Sequence, residues 1–129
     1  MAFVIDASVA LVWFLPDEES TVADAVLLRC DAELALVPDL FWHEMRNVLM
    51  MACRRQRLSF AEVHRSMMRL SQLKIDTVST FNSSLILDLA ERHRLTAYLA
   101  LAIERQVPLA TLDRRLMTAA VNERVVLIA

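Results

Sequence analysis

The stretch LTAYLALAIERQVPLATLDRRL, residues 95–116, combines a helix, a strand and the start of a second helix. Residues 96–106 form the first predicted helix, because Thr96 can cap it and apolar residues follow. PLAT, residues 108–111, is the predicted strand, and residues 113–122 are the next helix. A strand between two helices is typical of a parallel sheet that carries helices on both faces.

The same alternation extends over the rest of the chain. Further strands are predicted at residues 3–6, 32–37, 74–79 and 125–129. Further helices are predicted at residues 9–15, 18–29, 39–56, 59–73 and 80–93, with Ser8 and Thr80 as caps and Ser59-x-x-Glu62 as a capping box. Helical spacing predicts one core face on the long helix, formed by Phe41, Met45, Val48 and Ala52. A chain of 129 residues suits one α/β domain, spanning residues 1–129.

The composition excludes several classes of protein. Glycine is absent, which excludes the glycine-rich loops that hold phosphate in many nucleotide-binding proteins. No apolar run reaches the ~18 residues that a membrane span needs. The N-terminus MAFVID lacks the basic region of a signal peptide, so we expect a cytoplasmic protein. Cys30 and Cys53 have no second ligand at metal-binding spacing, and buried free thiols are the simpler interpretation.

The balance of apolar and charged residues bears on partners. Hydrophobic residues make up 57% of the chain, whereas ~45–50% is usual, which predicts an apolar interface with another chain. The formal charge of −2 gives no general nucleic-acid signature. Basic charge is local, in arginine clusters that suit phosphate or simply solvated helix ends. These clusters are Arg54, Arg55 and Arg57; Arg65 and Arg69; and Arg114 and Arg115.

Three acids follow predicted strands, where the sites of parallel sheets gather. Asp6 ends the first strand, Glu44 lies in the second turn of the helix after the second strand, and Asp113 follows the fourth. Each has a plainer interpretation, because Asp6 and Asp113 suit helix N-caps and Glu44 suits a solvated helix face. With Ser8 as the cap, however, Asp6 would be free to point into the crevice.

Together these carboxylates predict a site for Mg²⁺ or Mn²⁺, hard cations that prefer oxygen ligands. Crowded carboxylates repel one another, and a divalent cation neutralises them. Such a centre can generate hydroxide and hold a phosphodiester for in-line attack. Asn47 projects from the same helix face as Glu44, and Thr111 lies on the same side of an extended backbone as Asp113.

VIDASVAL at the start, WHEMRNVL in the long helix and VPLATLDRRL near the end resemble the PIN domain. More narrowly, they resemble VapC-type toxins of bacterial toxin–antitoxin pairs. The resemblance covers nearly the whole chain and implies a three-layer α/β/α sandwich around a central parallel sheet. It also implies a homodimer, metal-dependent RNA cleavage and a cognate VapB-like antitoxin that blocks the site. Operator DNA would be bound only through the antitoxin complex.

The resemblance also implies roles for single residues. The family's acidic positions map onto Asp6, Glu44 and Asp113 as ligands of Mg²⁺, with Thr111 beside them as a fourth catalytic candidate. For the RNA substrate, we expect contacts from three further polar residues, namely Asn47, Arg114 and Arg115.

One departure from the family lies in the opening stretch. The family usually reads L-T-x-Y-D-A-x-Y-L-A-L-A, whereas here Leu95-Thr96-Ala97-Tyr98 is followed at once by Leu99-Ala100-Leu101-Ala102. Roughly four residues, which include an aspartate, are missing. Four residues turn a helix by about 400°, a little more than one full turn, so their loss leaves the apolar face of the helix almost unchanged. Glu104 lies too far along the helix to replace the acid, and Asp88 belongs to the preceding helix. Drift, selection against toxicity or residues missing from the sequence would each produce this pattern.

We therefore expect a VapC-type toxin whose Mg²⁺-dependent endoribonuclease activity is weakened or absent. The first alternative is a binding module that engages its antitoxin and contributes to operator repression without cleaving RNA. The second is a phosphate-transfer domain of receiver type, which also gathers acids at strand ends. That class needs a lysine late in the chain, and the only lysine here is Lys74.

Overall fold

The computed structural model describes residues 1–79, 82–93 and 97–128. Its strands are β1 (Ala2–Ile5), β2 (Leu34–Val37), β3 (Ile75–Thr77) and β4 (Leu109–Ala110). Its helices are α1 (Ala7–Val12), α2 (Thr21–Ala32), α3 (Leu40–Arg54), α4 (Phe60–Ser71), α5 (Ser83–Arg92), α6 (Ala97–Arg105) and α7 (Arg114–Asn122). No helix in these ranges combines the length and apolar character that crossing a membrane requires.

The strands form one parallel sheet in the order β3-β2-β1-β4. This confirms the predicted α/β class, a three-layer α/β/α sandwich. The centre of the sheet is wholly apolar, since Phe3, Val4 and Ile5 are fully buried. After β1 the chain forms β2 and then β3 on one side of β1, and β4 pairs with the other side of β1. The crevice between the carboxyl ends of β1 and β4 is therefore the place where this topology forms sites.

Several predicted boundaries were wrong. The last predicted strand, residues 125–129, is only an isolated bridge between Leu109 and Leu127 in the described part of the chain. α2 begins at Thr21 with Ser20 as its cap, because the Ser20 hydroxyl accepts from the Ala23 N–H. Asn82 caps α5. The predicted caps Thr80 and Thr96 lie outside the described residues.

The predicted capping box of α4 is confirmed, and the predicted core face of α3 is correct except at one position. Ser59 and Glu62 form the predicted capping box, with each side chain bonded to the other's backbone N–H. On α3 the buried residues are Phe41, Met45, Leu49 and Ala52, so Leu49 takes the place predicted for Val48. Both sets of spacings add up to eleven residues, about three turns of 3.6 residues, so the helical period alone does not decide between Val48 and Leu49.

α6 is buried on all sides in its first half. It packs against β1, β4, α5 and α7, and Tyr98, Leu99, Ala100, Leu101 and Ala102 are all buried. A helix that is apolar all round belongs to the interior of a domain. The lack of charge over residues 97–103 therefore has a structural reason, which is the packing of α6 beside the central strand.

Within the described residues, three helices are followed by a left-handed residue that is not glycine. Gln56, Gln106 and Arg124 have φ of 62°, 55° and 60° and follow α3, α6 and α7. In each case the next N–H bonds back to a helix carbonyl, as Val107 does to Ala102 at 3.1 Å after α6. Glycine is the usual residue at this position because a Cβ atom is crowded there.

We predict that Gln106→Gly stabilises the protein by about 0.5–1 kcal/mol, because glycine removes the crowding at positive φ. Urea unfolding followed by circular dichroism measures the change. Gln72→Gly is the matched control, since Gln72 ends α4 in the right-handed region, with φ of −88°. That control should lose stability, and equal effects of both substitutions would contradict the argument.

Candidate active site

The Asp6 carboxylate lies at the end of β1 and is almost fully buried, with 4% exposure. Its Oδ1 accepts from the Ser8 hydroxyl at 2.6 Å and from the Val9 N–H at 3.3 Å. Its Oδ2 accepts from the Thr111 hydroxyl at 2.5 Å. Burial raises the pKa of Asp6 to about 6, an effect that these hydrogen bonds oppose and that the charge of Asp113 reinforces.

These contacts correct the predicted cap of α1. Asp6 itself is the N-cap, and Ser8 lies inside the helix and donates to Asp6. Capping and facing the crevice are therefore compatible: Asp6 does both, because one oxygen faces the helix end and the other faces β4. Helix α1 covers Ala7–Val12, earlier than the predicted residues 9–15.

Residues after β4 complete the network around Asp6. Thr111 is buried and its hydroxyl also accepts from the Asp113 N–H at 3.0 Å. The Ser8 hydroxyl accepts from the Leu112 N–H at 2.8 Å. Asp113 caps α7, where Oδ1 accepts from the Arg115 N–H at 2.8 Å and from the Leu116 N–H at 3.2 Å. The end of β1 and the end of β4 are thus joined by side chains that were predicted to belong to one site.

Glu44 is half-buried on α3 and has a partner that the sequence did not suggest. The Tyr98 hydroxyl, from the start of α6, donates to Glu44 Oε1. Tyr98 is itself 4% exposed. Its pKa is raised by burial, by the hydrogen bond to Glu44 and by the charges of Glu44 and Asp6, while the backbone N–H of Ala7 opposes the shift. Tyr98 therefore lies within electrostatic reach of two of the predicted site acids.

The sequence carries a signal for Tyr98 that the prediction of the site did not use. It is the only tyrosine in the sequence and lies among apolar residues. A buried tyrosine hydroxyl usually finds a hydrogen-bonding partner, so a polar contact could have been predicted, although not its identity.

Other predicted residues stay apart from this network. Asn47, Arg114 and Arg115 are exposed, and none has a hydrogen bond from its side chain to the acids within the described ranges. His43 is also exposed and contacts Asp39 at 3.2 Å. The assignment of Asn47, Arg114 and Arg115 to substrate binding stays a prediction.

Comparison with known proteins fits this geometry. The sequence matches the PIN domain family over residues 3–122. The chain belongs to the PIN-domain family. A similar fold is seen in the crystal structure of PAE2754 from Pyrobaculum aerophilum, with a TM-score of 0.67 and 21% identity over 92% of this chain and 79% of that one. Comparison with curated proteins gives no match.

Membership in the PIN family bears on the chemistry and on the alternatives. PIN domains are generally metal-dependent nucleases, so nuclease chemistry replaces phosphate transfer of receiver type as the activity to consider. In this PIN domain the described residues contain no group of three acids, cysteines or histidines that could hold a metal ion. As they are arranged, the side chains do not fit a divalent cation, because Glu44 accepts a hydrogen bond from the Tyr98 hydroxyl. The assignment of Asp6, Glu44 and Asp113 as metal ligands stays a prediction, and it requires Tyr98 to leave Glu44.

The raised pKa of Asp6 predicts a pH-dependent stability. The folded protein holds a proton on Asp6 up to about pH 6, whereas the unfolded chain releases it near its ordinary value of about 4. The protonated form therefore stabilises the fold fully below about pH 4, and this contribution is lost as the pH rises to about 6 and above. The difference between the two pKa values corresponds to about 3 kcal/mol. Urea unfolding from pH 4 to 8 should show this loss, and Asp6→Asn should not. Parallel curves for the two proteins would contradict the assignment.

Proposed function

We propose that this PIN domain is a toxin of VapC type from a toxin–antitoxin pair, with an RNA-cleaving site of strongly reduced activity. The single observation that carries the reduced activity is the hydrogen bond from Tyr98 to Glu44. This hydrogen bond occupies an oxygen of Glu44, which the family resemblance implies is a cation ligand. Helix α6 contains no aspartate that could act as a ligand instead. The protein is expected to work in the cytoplasm.

The surroundings of Asp6 support the proposal that this site is related to an RNA-cleaving active site. A buried carboxylate with a pKa of about 6 changes its proton occupancy close to neutral pH. Such shifts are frequent at active sites, although they also occur in structural networks. Ser8 and Thr111 fix both oxygens of this carboxylate, which holds it rigidly at the crevice. Mg²⁺ or Mn²⁺, where it binds in the family, supplies charge neutralisation and an activated water.

Exposed arginines offer contacts for an RNA backbone. Arg114 and Arg115 begin α7, directly after the site residue Asp113, and both are exposed. At the C-terminal end of α3, Arg54 and Arg55 are exposed, whereas Arg57 forms an ion pair with Asp17 at 2.5 Å. Guanidinium groups bind phosphate through paired donors. We propose that Arg114 and Arg115, together with Asn47, contact the substrate.

The second candidate function is a binding module that engages an antitoxin without cleaving RNA. Several large apolar side chains in the described ranges are exposed to solvent. They include Leu28, Phe60, Met68, Leu87, Val121 and Val126. Exposed apolar surface is typical of protein partners and would serve a homodimer or a VapB-like antitoxin, through which the complex would bind operator DNA.

Restoring the missing turn tests the proposed enzyme. We predict that inserting Asp-Ala-Ala-Tyr after Tyr98 increases RNA cleavage at least about tenfold, which needs about 1.4 kcal/mol of transition-state stabilisation. The insert is about one helical turn long, so the buried face of α6 stays aligned to within about 40°. Cleavage of a labelled mixed-sequence RNA is measured with purified protein and MnCl₂.

Asn-Ala-Ala-Tyr is the matched control, because it restores helix length without the carboxylate. It should not increase cleavage, and Asp6→Asn should abolish the gain made by the aspartate insert. If both insertions behave alike, the missing carboxylate does not limit this protein. If none of the proteins cleaves RNA, the binding module is favoured.

We also predict that the chain is a homodimer in the absence of any antitoxin, because its apolar excess needs cover. The dimer should persist in Asp6→Asn and in EDTA, since the apolar surface does not depend on the site. Multi-angle light scattering at micromolar concentration measures the mass. A monomer of 14.7 kDa alone would contradict the prediction.

A further inference from the structure

Tyr98 joins α6 to the acid on α3 through a single polar atom. Tyr98 is buried, as are its neighbours Leu99 and Leu101, and its hydroxyl donates to Glu44 and lies beside the backbone N–H of Ala7. Since α6 packs against β1 along this face, the ring is held by the core and its hydroxyl is held at the crevice. A tyrosine fixed in this way cannot turn to solvent without opening the interior.

Glu44 accepts its hydrogen bond from a neutral partner. It shares its surroundings with Asp6, since the charges of both act on Tyr98, and Asp113 acts in turn on Asp6. None of the arginine and lysine side chains in the described part of the chain forms an ion pair with Glu44. A half-buried carboxylate oxygen that faces a buried side chain is stabilised there by a cation or by a hydrogen-bond donor. Here the donor is a phenol, which satisfies the oxygen without bringing a charge.

We propose that the Tyr98 hydroxyl takes the place of a divalent cation at Glu44, and that Tyr98 thereby determines whether this site admits Mg²⁺ or Mn²⁺. The hydroxyl supplies one directed hydrogen bond to an anionic oxygen, which is stronger than a bond between two neutral groups. The inference deepens the proposed function, because the same side chain would close the proposed RNA-cleaving site, but it concerns cation binding and does not require cleavage.

The same contact would look identical if Tyr98 were only a structural anchor between α6 and α3. The two roles differ in the effect of removing the hydroxyl. Loss of an anchor leaves a weaker fold that is indifferent to divalent cations. Loss of a substitute for a cation leaves Glu44 without compensation, and a cation then restores the stabilisation that the hydroxyl supplied.

Tyr98→Phe separates these roles, because it keeps the ring and removes only the donor. We expect Mn²⁺, titrated by calorimetry into the full chain free of antitoxin, to bind at least tenfold more tightly to Tyr98→Phe than to the wild type. We also expect MgCl₂ to raise the melting temperature of Tyr98→Phe, but not that of the wild type, relative to NaCl of equal ionic strength. The double variant Tyr98→Phe/Glu44→Gln should lose both effects. Unchanged Mn²⁺ affinity in Tyr98→Phe would overturn the proposal.

A failure of Tyr98→Phe to fold in buffer would also be informative. Recovery of its circular dichroism spectrum in MgCl₂, or folding of the double variant with Glu44→Gln, would support an uncompensated Glu44 charge. If neither occurs, Tyr98 is an anchor and the proposal is wrong. The readout is separate from RNA cleavage, so tighter Mn²⁺ binding without any cleavage would leave this inference standing and count against the proposed enzyme.

Discussion

The buried carboxylate of Asp6 is the constraint on which the rest of the site depends. It lies where β1 ends, and removing it from water is tolerated because hydroxyls of Ser8 and Thr111 and an amide of α1 surround it. Those donors come from both sides of the crevice. The hydrogen bonds that satisfy Asp6 therefore also fix α1 against the loop after β4. A buried polar network of this kind specifies one arrangement because each member left unpaired would be costly.

The packing of α6 explains how a fold can survive while its chemistry changes. In its first half the helix is packed through apolar side chains, and among the contacts of the described residues only the Tyr98 hydroxyl reaches an acid of the crevice. Stability and chemistry are thus carried by different atoms of the same helix. If this helix has lost one turn together with a site acid, as we propose, its hydrophobic contacts would be kept, because removal of one turn returns the apolar face to the core.

The sheet class and the positions of Asp6 and Asp113 directly after strands could be predicted because both depend on local patterns, whereas the role of these acids stays a prediction. Sequence reasoning failed where distant residues decide between local options. Ser8 and Asp6 are both good caps, and the choice is made by Thr111, 105 residues away from Asp6. The contact between Tyr98 and Glu44 spans 54 residues. The last predicted strand has the right composition, but within the described residues it pairs only through a bridge at Leu109.

The left-handed residues after α3, α6 and α7 bear on how stable this protein is. A chain without glycine places glutamine or arginine where backbone crowding favours glycine, and so it stands below the stability that its own fold permits. The three positions are far apart in sequence and end separate helices, so improvements there should be nearly independent. Substitutions at these surface positions should therefore make the protein more stable and leave its crevice unchanged.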